Sequence, residues 1–402
     1  MLTTRAPADV PVYGEDIYSR SAILDPYPHY ERLRDLGRVV WLSKQQVYAL
    51  PRYAEAKAAL LDDQTFRSGC GVGLNEPTNR LSRGTTLNSD DELHAERRSL
   101  VAHRLTPRAL RKMEGDVQAR ATAIVENAVA LRTVDGVADL AVALPMAVVP
   151  DLVGWPAEGR DNLLKWAAAT FDLLGPLNGQ AVRQIPTGLA MKRFAGTVVK
   201  KRLVQPGSMG DDVLRAADEG RISHDQCPAL MIDYLAPSLD TTISAISSAL
   251  HLFAAHPDQW NLLRDNPALL SNAVNEVVRL EAPIRAFTRK VARDTELSGV
   301  RIPEGSRVLV LYASANRDDT EWTDPDAFDI TRDASRQLGF GHGAHGCAGQ
   351  GLARMETQAI LRALLERVER IVAAGEPSWA VNNIIHRYER LPLELIPRED
   401  PS

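Results

Sequence analysis

Ten residues, Phe340-Gly341-His342-Gly343-Ala344-His345-Gly346-Cys347-Ala348-Gly349, stand directly ahead of the most regular helical pattern in this 402-residue chain. The glycines leave a backbone free to take φ > 0 and to pass close to something flat. A cysteine placed there meets the unpaired N–H groups and the positive dipole end of the following helix, which together favour its thiolate. Such a sulfur can ligate a metal. A lone cysteine is more often a small buried hydrophobe, but six fixed positions, F-G-x-G-x-H-x-C-x-G, should arise by chance in fewer than about one in 10⁵ chains of this length.

The helix after Gly349 is marked by Leu352, Met355, Ala359, Ile360, Ala363, Leu364, Val368 and Ile371 at three- and four-residue spacing, with Gly375 and Pro377 as its stop. Asp233 to Ala255 is a second long helix, interrupted by Pro237, and Ser271 to Leu280 a third. Strands are expected on both sides of Ser43 to Gln46, followed by an alanine-rich helix from Tyr53. A second strand-rich stretch runs from Thr295 to Tyr312, turning at Pro303-Glu304-Gly305. The chain is therefore expected to be mainly α with small β-sheets. Its length would allow two or three domains at about 150 residues each, but without repeats or Gly/Ser linkers residues 1–402 read as a single domain.

A net charge of −5 implies no nucleic-acid groove. Cys70, Cys227 and Cys347 are odd in number and far apart, suggesting neither a disulfide framework nor a zinc site. A reducing cytoplasm is the expected setting. The N-terminus has no signal-like apolar run, and the most apolar stretch, Val137 to Trp155, is broken by Asp139, Pro145, Pro150 and Asp151, so no membrane span is expected.

The cysteine loop resembles the haem-binding loop of the cytochrome P450 monooxygenases. The resemblance implies the P450 fold, haem b as cofactor, Cys347 as axial thiolate, and Phe340 and Gly349 against the ring. A bulky residue usual before the cysteine is Gly346 here. Further matches lie in order along the chain. Glu276 and Arg279 fit the family's Glu-x-x-Arg helix, with Arg332 as third member of the ion-pair core and Arg317 as competitor. His94, Arg98, Arg289 and His345 would hold the haem propionates, which need hydrogen-bonding cations. Asp240 and Thr241 match the acid-threonine pair of the central helix, Asp240 as proton relay and Thr241 as the hydroxyl facing oxygen. Where that helix usually carries a glycine, this chain reads Ala236-Pro237-Ser238, and the proline is expected to distort Asp233 to Thr241.

Asp25-Pro26-Tyr27-Pro28 through His386 carry the resemblance over nearly the whole chain, closest to the soluble bacterial enzymes that oxidise para-substituted benzoic acids, including O-demethylation of 4-methoxybenzoate. That match implies Phe171 and Leu174 as a roof, Phe287 and Thr288 as walls, and Arg83 and Thr86 as carboxylate holders. Where the subgroup has Arg-Ser, this chain has Ile232-Asp233. An aspartate aimed at a carboxylate would repel it, so either Asp233 turns outward or the substrate is neutral, such as a methoxyphenol.

With no flavin or iron–sulfur segment in the chain, the resemblance implies O2 as co-substrate and electrons from NAD(P)H through a separate ferredoxin and ferredoxin reductase. Arg97, Arg98, Arg104, Arg108, Arg111 and Lys112 could steer the ferredoxin, and a monomer is expected. Two alternatives are a peroxide-driven haem peroxygenase, against which Asp240-Thr241 argues, and a non-catalytic haem sensor or binding module.

Overall fold

The computed structural model describes residue 7 and residues 9–398; the first six residues and the eighth, part of the N-terminus assessed above for a signal-like run, lie outside it. Helices dominate. The longest, the central helix Cys227–Ala255, is introduced by a capping box in which Ser223 and Gln226 satisfy each other's backbone N–H groups. Buried leucine, alanine, serine and threonine positions recur around it, as a helix enclosed by neighbours requires.

The cysteine loop feeds the proximal helix, Gln350–Arg367, which packs along Pro107–Leu131. This helix is shorter than its apolar spacing suggests. Val368 and Ile371 belong instead to a strand, Val368–Ala373, paired antiparallel with Pro392–Pro397, which in turn pairs with Thr133–Asp135. The β-branched run Val368, Ile371 and Val372 favours an extended backbone, and the C-terminal strand supplies the partner that local spacing cannot reveal.

The central helix also departs from expectation. It begins at Cys227 and continues through Pro237 without interruption. Hydroxyls cluster around the proline: Ser238 donates to the Tyr234 carbonyl (2.7 Å), Thr241 to that of Pro237 (2.6 Å) and Thr242 to that of Ser238 (3.1 Å). Bonds of this kind share the i−4 carbonyls with the helical ladder and favour a slight bend rather than a break.

The main sheet has the strand order Val12–Tyr13, Val40–Leu42, Val47–Leu50, Arg307–Val310, Phe287–Val291, Phe66–Arg67. Val40–Leu42 and Val47–Leu50 form the antiparallel pair expected around Ser43 to Gln46, followed by the helix Tyr53–Leu61. Thr295–Leu297 and Val300–Ile302 make a hairpin, and Pro303-Glu304-Gly305 turns the chain into Arg307–Val310. Gly136–Val153 is long and apolar enough, with a mean hydropathy of 1.7, to cross a bilayer by length and composition. Here it is 56% buried and packs on the central helix.

Candidate active site

A cavity lies between the central helix and the cysteine loop. Cys347, Phe340, Gly349, Leu352 and Ala353 line one side. Thr241, Pro237, Asp233 and Ala245, at four-residue spacing on one face of the central helix, line the other.

The loop holds its shape through its own backbone. The Gly341 N–H donates to Leu338, Gly346 to Gly343 and Cys347 to Phe340, at 2.8, 3.0 and 2.8 Å. Gly343 has φ +68°, and a Cβ there would stand 2.3 Å from the Leu60 carbonyl oxygen, so only glycine lets the loop seat against the helix Tyr53–Leu61. Burial pushes the Cys347 thiol up, opposed by the backbone N–H groups of Gly349 and Gln350 and by Arg98 and Arg354. Burial prevails over the helix-terminus effect in the protein alone; a metal ion on the sulfur reverses that balance, since a coordinating thiol is deprotonated outright. The Arg354 guanidinium lies 4.4 Å from the Phe340 ring centroid, fixing the aromatic beneath the cavity.

At one edge of the cavity the four residues predicted to hold the propionates converge. The rings of His94 and His345 are 4.0 Å apart. His94 sits between the carbonyls of Thr86 (Nδ1, 2.9 Å) and Ala344 (Nε2, 3.2 Å). Arg98 donates to the Gly346 carbonyl and Arg289, 4% exposed, to that of Thr288, both at 2.8 Å. Among the described residues no carboxylate pairs with either arginine. His345 is pushed down to about 3 by burial and by Arg289, His94, Arg98 and Arg67. Two guanidinium groups without a carboxylate partner, beside two imidazoles, fit the dianionic edge of a haem whose iron Cys347 would hold.

Beneath the site, Arg279 donates to Glu276 through Nε (2.7 Å) and Nη2 (2.8 Å), with both side chains fully buried. Arg332 joins through Nε at 3.2 Å, whereas Arg317 pairs with Glu281 and Asp326. The spacing of Glu276 and Arg279 alone describes a surface pair; burial and the remote Arg332 turn it into a core element.

The match is decided by the whole chain. A family model described as "Cytochrome P450" matches residues 205–380. Cytochrome p450 CYP199A2 of Rhodopseudomonas palustris is 37% identical, over 97% of this chain and 96% of that protein. The chain belongs to the cytochrome P450 family. A second P450, 6-deoxyerythronolide B hydroxylase of Saccharopolyspora erythraea, is 31% identical over 94% of this chain and 98% of its own length. Among solved structures, Mycobacterium marinum cytochrome P450 CYP268A2 in complex with pseudoionone superposes with a TM-score of 0.87 at 27% identity, covering 96% of this chain and all of that one. The protein is thus an oxidoreductase that incorporates oxygen, and haem is its cofactor. Haem on a cysteine thiolate supplies the oxygen-activating chemistry, because thiolate donation favours O–O cleavage.

Not every predicted P450 site residue meets the cavity. Thr86, Phe171, Asp233 and Phe287 line it; Arg83, Leu174 and Thr288 do not. Arg83 is exposed on the surface. Leu174 is buried in an apolar cluster while its carbonyl accepts from the Leu74 N–H. The Thr288 hydroxyl donates to the Gly73 carbonyl and accepts from Arg307, at 3.0 and 3.1 Å. Asp240 also stays off the lining, 1% exposed, with Arg387 beside it. The approach of Arg387 is short but poorly aligned, and neither Asp240 oxygen has a well-formed hydrogen bond among the described residues. Burial pushes this carboxyl up, with Arg387 opposing. Thr241, on the next residue, faces the cavity, so acid and hydroxyl are neighbours across the helix wall.

Sequence reasoning missed several contributors: Arg387, the cavity-lining Tyr234 and Leu87, and an asparagine clamp on the roof. Asn75 Nδ2 donates to the carbonyls of Leu173 (2.5 Å) and Gly175 (2.8 Å), Asn382 Nδ2 to that of Ala168 (2.9 Å), and Asn383 Nδ2 to that of Asp172 (3.0 Å). The Asp172 carboxylate accepts from the Asn383 N–H (2.8 Å) and from Gln180 (3.0 Å). These bonds fasten the end of the helix Leu163–Leu174, which carries Phe171.

Proposed function

We propose that this P450 monooxygenase hydroxylates or oxidatively O-demethylates a small para-substituted aromatic, a benzoic acid such as 4-methoxybenzoate or a neutral methoxyphenol, with electrons from NAD(P)H through a ferredoxin and its reductase. The observation that carries the reading is the distal lining. Phe171, Phe287, Leu87 and Ile284 put apolar side chains, two of them aromatic, in the same lining as Thr241, surface against which one ring can pack. Insertion of one oxygen atom into a methoxy C–H bond, the other leaving as water at the expense of two electrons and two protons, gives a hemiacetal. That species breaks its O–CH2 bond to release formaldehyde and a phenol. This chain's own part is to present the methyl group, exclude bulk water, and pass protons past Asp240 and Thr241.

For electron delivery the expected basic patch is smaller than the sequence suggested. Arg97 is buried, Arg98 is bound to the cysteine loop and Arg104 pairs with Asp212. Arg108, Arg111 and Lys112 remain exposed at the start of the helix that packs on the proximal helix, and these three are assigned to ferredoxin docking.

The test is a holoenzyme assay with ferredoxin, reductase and NADH, scoring spin-state shift and formaldehyde release for 4-methoxybenzoate and 4-methoxyphenol. Formaldehyde in proportion to NADH supports the reading. Turnover with peroxide alone would make the protein a peroxygenase, and binding without turnover a sensor. Charge reversal of Arg108 and Arg111 should slow reduction and flatten its salt dependence; an unchanged rate removes this docking site.

A further inference from the structure

The oxygen-facing side of the cavity has one acidic side chain in its lining, Asp233. It lies two turns before Thr241 on the same helix face, an axial offset of about 12 Å. One substituted ring with a hydrogen bond of about 2.8 Å at its far end fills such an offset. The carboxylate is held in place from the loop above, where the Leu87 N–H donates to Oδ2 at 3.3 Å. Burial pushes Asp233 up to about 6 against the hydrogen bonds of Leu87 and Thr86, and no cation contributes to its field. Arg83, the side chain that could have neutralised it or bound a substrate carboxylate, lies on the surface. The cavity's own guanidinium groups, Arg98 and Arg289, lie with His94 and His345 at the edge where the haem propionates would be held.

From this geometry we infer that Asp233 is the recognition group for the far end of the substrate, and that it selects aromatics bearing an N–H or O–H donor, an ammonium above all, while rejecting carboxylates. The inference rests on the aromatic reading above and narrows it. A buried carboxylate with no cationic partner gains most from a ligand that brings one, and a second carboxylate in the same place meets like charge in a low-dielectric cavity. A phenol hydroxyl donates to Asp233 without adding charge. A benzoate can neither donate nor find a cation.

Binding of 4-methoxybenzylamine, 4-methoxyphenol and 4-methoxybenzoate to the haem-loaded protein, followed by calorimetry and spin-state titration at pH 7.5 (~1.5 units above the Asp233 midpoint), tests this. The wild type should bind the amine and the phenol about tenfold or more tightly than the benzoate, roughly one hydrogen bond to a charged group. Asp233→Asn and Asp233→Ser should abolish the amine preference and improve benzoate binding, with the reduced carbonyl spectrum unchanged as evidence of folding. Benzoate binding as tightly as the amine in the wild type, or a preference that survives both substitutions, overturns the inference and leaves the aromatic reading intact. Binding of none of the three by any form overturns the aromatic reading and the inference with it.

Discussion

Arg387 Nε lies 2.9 Å from Oδ1 of Asp240, reaching a carboxylate that is 1% exposed from the segment just before the strand Tyr388–Arg390. The pair joins the C-terminal part of the chain to the helix wall behind Thr241. The proton-relay role proposed for Asp240 requires it to give up and regain its proton, and the arginine opposes the burial that holds that proton on.

Asp240→Asn should therefore lower NADH-supported product formation by about 10²–10⁴-fold, the range for loss of a positioned acid or base, with substrate binding retained. Arg387→Met removes the group that opposes burial. The Asp240 carboxyl then rises further, and the pH profile of kcat should shift upward. A profile that stays in place in Arg387→Met would separate the arginine from proton delivery.

Glu276→Gln leaves Arg279 fully buried with no carboxylate, and Arg332 loses its carboxylate partner at the same time. Breaking one side of a buried ion pair costs about 3–5 kcal/mol. Denaturant unfolding should register that loss, and the fraction of purified protein that takes up haem should fall with it.

Glu356, on the proximal helix, is fully buried, and neither of its oxygens has a hydrogen-bond partner among the described residues. Burial pushes it up to about 8, above its ordinary value near 4.5. The folded state therefore holds a proton that the unfolded chain releases between those two values. That contribution to stability is complete below pH 4.5 and is lost as pH rises through about 8. Calorimetry across pH 5–9, roughly the window of this titration, should show the melting temperature falling, and Glu356→Gln should remove most of the slope.

Cys347→His exchanges the sulfur for an imidazole on the same loop. Haem should still enter, because the cation cluster at the far edge is untouched, but the reduced carbonyl complex should absorb as an imidazole-ligated haem does, and oxygenation should cease. A spectrum identical to the wild type would place the iron ligand elsewhere.

The cysteine loop was legible in the sequence because it carries its chemistry within ten residues, whereas the Glu276–Arg279 pair and the four propionate residues, spread over separate segments, came from the family resemblance. Arg332 was found only through the family pattern, and the structure supplies the contact. Arg387 was not found, since it meets Asp240 across 147 positions and no local spacing marks such a pair. Val368 was misplaced for the opposite reason. Its helical spacing was genuine, but a strand more than twenty residues later captured it. Arg83 was assigned to the cavity by alignment alone, and orientation, which decides whether a side chain reaches a ligand, is a tertiary property.

The asparagine clamp ties the Phe171 helix to two distant stretches of chain, one around residue 75 and one around residue 382. Moving this helix end away means giving up the bonds from both stretches, so this wall should open less readily than one held by a single contact. Exchange of a bound molecule that required this movement would then be slowed by the wall as well as by the contacts the molecule makes.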